Sequence, residues 1–68
     1  MKYIIKKEVG EVIKKKYKCL YLSKQLGVSQ SYLSLLVNGK IHCPKVVAYT
    51  FSKILNENYE IEDLFERL

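Results

Sequence analysis

The sequence is poor in the residues that perform catalysis or bind metal ions. It contains one histidine, His42, and two cysteines, Cys19 and Cys43, among 68 residues. The two cysteines form no Cys-x-x-Cys pair, and His42 and Cys43 lack a fourth zinc ligand. No acidic residue lies near His42, and no nucleophile motif surrounds Cys43. We therefore expect no enzyme, no metal site and no cofactor, and we expect both cysteines to be small, half-buried residues.

Long apolar runs are also missing. No stretch approaches the roughly 20 residues of a membrane span, and residues 1–7 lack the long hydrophobic segment of a secretion signal. We therefore expect a cytoplasmic protein with no membrane partner. About half of the residues are apolar and 28% are charged, which is a globular balance. A chain of this length predicts one domain, residues 1–68.

Acidic residues are scarce in the first two thirds of the chain. Residues 1–45 contain ten lysines and two glutamates, a net charge of +8. Residues 46–68 contain two basic and five acidic residues, a net charge of −3, so the whole chain has +5. An excess of lysine in one half indicates a polyanionic partner such as a nucleic acid.

The segment 22–40 has the pattern of two short amphipathic helices joined at a glycine. Leu22 and Leu26 lie four residues apart and therefore on one helical face. Gly27 follows, at a position that favours a conformation unsuited to residues with a β-carbon. Ser29 is a natural N-cap for a second helix. This pattern predicts a helix-turn-helix and indicates DNA binding.

The second helix of this motif has a clear division into two faces. Leu33 and Leu36 are spaced to point into the interior, and the Asn38-Gly39 pair is expected to end the helix. The opposite, solvated face consists of short polar residues. These are Gln30, Ser31 and Ser34.

Apolar periodicity predicts helices elsewhere in the chain. The predicted helices span 8–17, 21–26, 30–37, 44–55 and 61–65, with Pro44 in the first turn of the fourth. Residues 1–7 are compatible with a strand or with a backward extension of the first helix, and we expect a mostly helical or frayed start. The fifth helix should fold back over the core. The predicted fold class is therefore all-α, a bundle of five short helices.

This order of elements resembles the Cro/C1-type (XRE-family) helix-turn-helix regulators, which include phage repressors, plasmid copy-control regulators and antitoxins. The resemblance covers about residues 8–66. The matching residues are Gly10, Ile13, Leu22, Leu26, Gly27, Val28, Ser29, Leu33, Leu36, Asn38, Gly39, Lys40, Pro44, Ile61, Leu64 and Phe65. The resemblance implies a lambda-repressor-like fold, with the third helix in the major groove of double-stranded DNA.

The resemblance also implies two groups of DNA-contacting residues. The residues expected to contact bases are Ser29, Gln30, Ser31, Tyr32 and Ser34. Gln30 is the main candidate for specificity, because its amide can pair bidentately with adenine. The residues expected to contact phosphates are Lys24, Asn38 and Lys40. Backbone amides at the start of the second helix should assist them.

The implied function is transcription regulation by occupancy of a DNA operator, as a repressor of phage or mobile-element type. A homodimer should bind half-sites about 34 Å apart. Exposed apolar residues are the candidates for the dimer surface, and the chain termini rank above the third helix. These candidates are Tyr3, Ile4, Val12, Leu35 and Leu68.

Leu35 leaves a second function open. Many members of the family have a long polar or basic residue at this position, so Leu35 indicates either contact with a thymine methyl group or a protein interface. No charged side chain lies between Ser29 and Val37. The alternative is therefore a protein-binding modulator or antirepressor that pairs with another regulatory protein. RNA binding is a weaker option, because the sequence has no aromatic platform and no glycine-rich clamp.

Overall fold

The computed structural model describes residues 2–68, and most of them are helical. The five helices are α1 (Lys7–Lys16), α2 (Cys19–Leu26), α3 (Gln30–Val37), α4 (Lys45–Leu55) and α5 (Ile61–Leu64). The number and order of helices agree with the sequence prediction. None of the helices in residues 2–68 has the length and apolar character needed to cross a membrane.

The described residues also include a small antiparallel sheet. Its strands are β1 (Lys2–Ile5), β2 (Cys43–Pro44) and β3 (Phe65–Arg67), in the order β2-β1-β3. Tyr3 pairs with Cys43 on one side of β1, and Ile4 pairs with Glu66 on the other. The expectation of a wholly helical chain is therefore corrected to a mostly helical chain with a three-stranded sheet.

Residues 2–5 form a strand by pairing with β2 and β3, and their side chains alternate in burial as strand geometry requires. Tyr3 and Ile5 are each 5% exposed, whereas Lys2 is exposed and Ile4 is half-buried. The expected helical or frayed start is thus wrong for residues 2–5, and Met1 lies outside the described residues. Burial also removes Tyr3 from the candidates for a dimer surface.

Five helix boundaries differ from the prediction, and two of them belong to α1, which spans Lys7–Lys16 instead of 8–17. The second helix begins at Cys19, two residues before Tyr21. Pro44 pairs with Lys2 in the sheet and is the N-cap of α4, not a residue of its first turn. Phe65 lies in β3, because the fifth helix stops after one turn at Leu64. For α4 and α5, the adjoining strand of the sheet sets where the helix begins or ends.

Helices and strands share one hydrophobic core. Its residues are Tyr3, Ile5, Ile13, Leu22, Leu33, Leu36, Val37, Cys43, Ala48, Phe51, Ile61, Leu64 and Phe65. Phe51 of α4 and Phe65 of β3 pack edge to face, with ring centroids 6.0 Å apart. The end of the chain therefore covers the core as expected, but it does so with a helical turn followed by a strand.

Helix α1 packs closely against the end of α3. A β-carbon at Gly10 would overlap the carbonyl oxygen of Val37 and would approach Ile5 Cγ2 at 3.8 Å. The absence of a side chain at this position lets the two helices meet. This contact fixes the side of α1 that faces the end of α3.

Candidate nucleic-acid interface

The corner between α2 and α3 is formed by local backbone and side-chain interactions. Gly27 has a φ of +78°, and its N–H and that of Val28 both donate to the Ser23 carbonyl, at 2.9 and 3.0 Å. Ser29 Oγ accepts a hydrogen bond from the Tyr32 N–H at 3.1 Å and caps α3. The predicted glycine hinge and serine cap are thus confirmed.

Helix α3 presents one face to the core and one to solvent. Leu33, Leu36 and Val37 are buried. Four residues on the other side are exposed, and we call them the α3 outer face. They are Gln30, Ser31, Ser34 and Leu35. No part of residues 2–68 buries this face, so a partner can approach it.

The first turn of α2 lies beside the first turn of α3. The Cys19 thiol donates to the Gln30 carbonyl at 3.6 Å, and Cys19 lines a shallow open depression together with the α3 outer face. The N-terminal N–H groups of α2 have no side-chain cap. Unpaired amides at a helix start attract anions such as phosphates. Cys19 is exposed, not half-buried as predicted.

The turn after α3 is closed by a second glycine. Gly39 has a φ of +69°, its N–H donates to the Leu36 carbonyl at 3.1 Å, and the Lys40 N–H donates to the Leu35 carbonyl at 2.9 Å. These two bonds form a Schellman motif, which satisfies carbonyls at the helix end. The motif leaves the side chain of Lys40 exposed next to the last turn of α3.

Asn38 connects this turn to α1. Lys14 Nζ donates to Asn38 Oδ1 at 2.7 Å, and Asn38 Nδ2 donates to the Ser34 carbonyl at 2.7 Å. The amide of Asn38 is therefore engaged at both ends, and Lys14 supplies a positive charge at this point. Sequence reasoning did not single out Lys14 as a site residue, because 24 positions separate it from Asn38.

A groove beside the end of α3 is bordered by several lysines. Lys7, Lys14 and Lys40 line it together with Glu11 and Glu66. The three lysines and two glutamates give the groove a net positive charge of one. The groove lies beside the residues that follow α3. Lys24, the other predicted phosphate contact, is exposed in the last turn of α2 and does not line this groove.

Two of the five predicted base-contact residues, Ser29 and Tyr32, have side chains that take part in the fold. Ser29 uses its hydroxyl oxygen as the α3 cap. Tyr32 is half-buried and packs against the core. Burial raises the pKa of Tyr32, and the nearby Cys43, once ionised, raises it further. The remaining three, Gln30, Ser31 and Ser34, lie together on the outer face with Leu35.

Cys43 lies inside the molecule. Its side chain is 1% exposed, so it is fully buried and not half-buried as predicted. Desolvation raises the pKa of the Cys43 thiol to about 11, which keeps the thiol protonated at neutral pH. Within residues 2–68, no group of three or more histidine, cysteine or acidic side chains is arranged to hold a metal ion.

Comparison with protein-family models, with curated proteins and with solved structures finds no match to this chain. The α3 outer face consists of uncharged side chains, and lysines lie beside the end of α3.

Proposed function

We propose that the chain is a sequence-specific, double-stranded DNA-binding transcriptional regulator that inserts α3 into the major groove. The main support is the exposure of Gln30, Ser31 and Ser34 on one uncovered helical face. A helix about 10–12 Å in diameter matches a major groove about 12 Å wide. The proposal includes a lambda-repressor-like arrangement of the helices and a cytoplasmic location.

In this proposal the two groups of residues have separate roles. Side chains of the α3 outer face contact base edges, and lysines contact the phosphates on either side. Lys24 and Lys40 are among the proposed phosphate contacts, and we add Lys14 and Lys7 because they line the groove with Lys40. Asn38 assists by holding Lys14 at the helix end, through the 2.7 Å hydrogen bond to its Oδ1.

The proposed regulator acts as a homodimer on a two-fold operator, with half-sites about 34 Å apart. Among the candidates for the dimer surface, Val12, Leu35 and Leu68 are 51%, 44% and 64% exposed. Ile4 is half-buried. Val12 and Leu68 lie outside α3, so a dimer formed through them would leave the outer face free for DNA.

A second candidate function is a protein-binding modulator or antirepressor. The exposure of Leu35, 44% of its surface on an otherwise polar face, favours this function. An apolar side chain at the centre of a protein interface gains from burial. The two candidates predict different partners for the same face of α3.

A pair of charge variants distinguishes them when binding to a pool of random duplexes is measured by fluorescence anisotropy. Ser31→Glu places a negative charge on the outer face and should weaken binding about 10-fold or more, because the phosphates on either side of the groove repel it. Thr50→Glu adds the same charge at an exposed position of α4 and is the matched control. It should change affinity by much less than Ser31→Glu.

Salt dependence provides the second readout. Four lysines on phosphates should give a slope of about −3.6 for log affinity against log salt concentration, per protomer. Equal effects of Ser31→Glu and Thr50→Glu, or no measurable binding to any duplex, would contradict the proposal. The absence of duplex binding would then favour the modulator.

A further inference from the structure

A cavity of about 220 Å³ opens between α1 and the α2–α3 corner, and we call it the α1–α3 cavity. Its inner wall consists of aliphatic side chains that belong to the buried core. They are Ile13, Leu22, Leu33 and Val37. An apolar cavity of about 150 Å³ is large enough to hold benzene. The α1–α3 cavity therefore has room for one aromatic ring and a short substituent.

The outer part of the cavity is polar and carries a positive charge. Lys14, Ser34 and Asn38 line it and are exposed. Among residues 2–68, Lys14 is the only charged residue in the lining. The 2.7 Å hydrogen bond from Lys14 Nζ to Asn38 Oδ1 uses one of the three donors of the ammonium group, so two remain for a ligand. One cation beside an apolar wall complements a monoanion with an apolar body.

A second apolar cavity has the opposite charge. It measures about 260 Å³ and lies between α1, the end of α4 and α5. Glu8, Lys16 and Asp63 line it, so its net charge is negative by one. An anion should therefore select the α1–α3 cavity, and the second cavity serves as a control for binding by apolar contact alone.

Tyr17 favours an aromatic ligand over an aliphatic one. It follows the last residue of α1, is half-buried, and lines the α1–α3 cavity. Aromatic rings gain from offset or edge-to-face contact beyond the area that they bury. We propose that the α1–α3 cavity binds a small aromatic carboxylate, whose ring contacts the inner wall and Tyr17 and whose carboxylate accepts hydrogen bonds from Lys14 Nζ.

The cavity adjoins both parts of the candidate nucleic-acid interface. Lys14 and Asn38 line the cavity and also the groove beside the end of α3. Cys19 and Ser34 line the cavity and also the depression at the α3 outer face. A bound carboxylate would neutralise Lys14, which is one of the proposed phosphate contacts. The ligand should therefore weaken duplex binding. This consequence rests on the proposed function, whereas ligand binding itself does not.

The first test compares three probes of similar shape and different charge. Phenylacetate, phenylacetamide and phenethylamine are titrated separately into the nitrogen-15-labelled protein, and amide shifts are followed by NMR. Phenylacetate should bind with a Kd of about 1 mM, as expected for a ligand of this size. The neutral amide should bind about fivefold more weakly, and the cationic amine more weakly still. The largest shift changes should occur in residues 13–19 and 33–38, with little change at Leu55 and Tyr59 of the second cavity.

Lys14→Met removes the charge and keeps an apolar side chain of similar length. This variant should bind phenylacetate and phenylacetamide equally well. Lys15→Met is the matched control, because Lys15 is exposed on α1 and does not line the cavity, so the preference for the anion should remain. Equal binding of the three probes by the wild-type protein, shift changes centred on Leu55 and Tyr59, or no saturable binding would overturn the inference. These wild-type outcomes decide it even where a variant fails to fold.

The second test measures the effect of the ligand on DNA. The affinity for a duplex selected from a random pool is measured by fluorescence anisotropy in saturating phenylacetate and in acetate at the same concentration. Phenylacetate should weaken binding and reduce the salt slope by about 0.9, the value of one phosphate contact. Lys14→Met should show no such difference. Unchanged wild-type affinity would overturn the effect on DNA binding.

The two tests separate this inference from the proposed function. A protein that binds phenylacetate in the α1–α3 cavity but binds no duplex would contradict the proposed function alone. A protein that binds duplex DNA but not phenylacetate would contradict this inference alone.

Discussion

The two cysteines show how position in the fold determines the exposure and the protonation of a thiol. Cys19 is exposed at the start of α2, where its thiol donates to the Gln30 carbonyl at 3.6 Å. Cys43 lies in β2, is 1% exposed, and belongs to the hydrophobic core. An ionised thiol in the core would lose its hydration, so the folded state keeps the proton on Cys43.

Protein stability should therefore fall at high pH because of Cys43. The pKa of this thiol rises from 9.0 to about 11 on folding. The stabilisation from the protonated Cys43 thiol is complete when the pH is below the pKa of the unfolded state. It is lost as the pH rises through the pKa of the folded state, because the unfolded state binds fewer protons than the folded state over this range. The free energy of unfolding in urea, measured from about pH 8 to about pH 11, should fall more steeply in the wild-type protein than in Cys43→Ala.

Comparing the wild-type protein with Cys43→Ala separates the effect of Cys43 from that of the other titratable groups. Both proteins retain every other titratable side chain, so the difference between the two curves reports the Cys43 thiol together with its effect on the neighbouring Tyr32. Parallel curves in the two proteins would show that burial does not shift the pKa of Cys43.

At the scale of elements, two glycines serve different physical purposes. Gly27 has a φ of +78°, and a β-carbon there would meet no atom within 4 Å. Its role is to turn the backbone between α2 and α3. Gly10 is an ordinary helical residue whose missing side chain leaves space for the Val37 carbonyl. Its role is to let α1 approach α3.

Gly10→Ala should destabilise the fold by about 1–3 kcal/mol, because the new methyl group overlaps a backbone oxygen that cannot move independently. The gain in helix propensity, about 1 kcal/mol, opposes this effect. Thermal and urea unfolding measure the balance. Glu11→Ala, at the neighbouring exposed position of α1, is the control and should change stability by less than about 0.5 kcal/mol. A Gly10→Ala protein as stable as the wild type would mean that the two helices are farther apart.

Elements defined by neighbouring residues were predictable from the sequence. The α2–α3 corner depends on Gly27 and Ser29, and both act on residues within four positions of themselves. The outward face of α3 follows from the spacing of Leu33 and Leu36. Such signals are local, so periodicity and capping preferences are sufficient to find them.

Elements defined by distant residues were not predictable in the same way. Strand β1 has only four residues, and its partners begin at Cys43 and Phe65. A short strand forms only with its partner strands, and no pattern within its own residues identifies those partners. The contact between Lys14 and Asn38 is of the same kind, because it depends on how closely α1 packs against α3. The site therefore gained a lysine that the sequence alone did not single out.

At the scale of the whole molecule, the distribution of charge and the position of α3 indicate the same surface for a polyanionic partner. Lys7 and Lys14 of α1 and Lys40 of the turn after α3 line the groove beside Asn38, together with Glu11 and Glu66. Most acidic residues of the chain follow residue 56, and those of α5 lie in its first turn, where they interact favourably with the helix dipole. A polyanion should therefore approach the side of the molecule formed by α1, α2 and α3.

The central claim is that duplex DNA contacts the molecule through α3. An NMR titration of the nitrogen-15-labelled protein with a selected duplex tests it most directly. If duplex DNA binds through α3, the largest amide shift changes will occur at residues 30–35, at the start of α2 and at residues 38–40, with little change at the exposed Val46 and Tyr49 of α4. Changes centred on α4, or no changes with any duplex, would contradict the account.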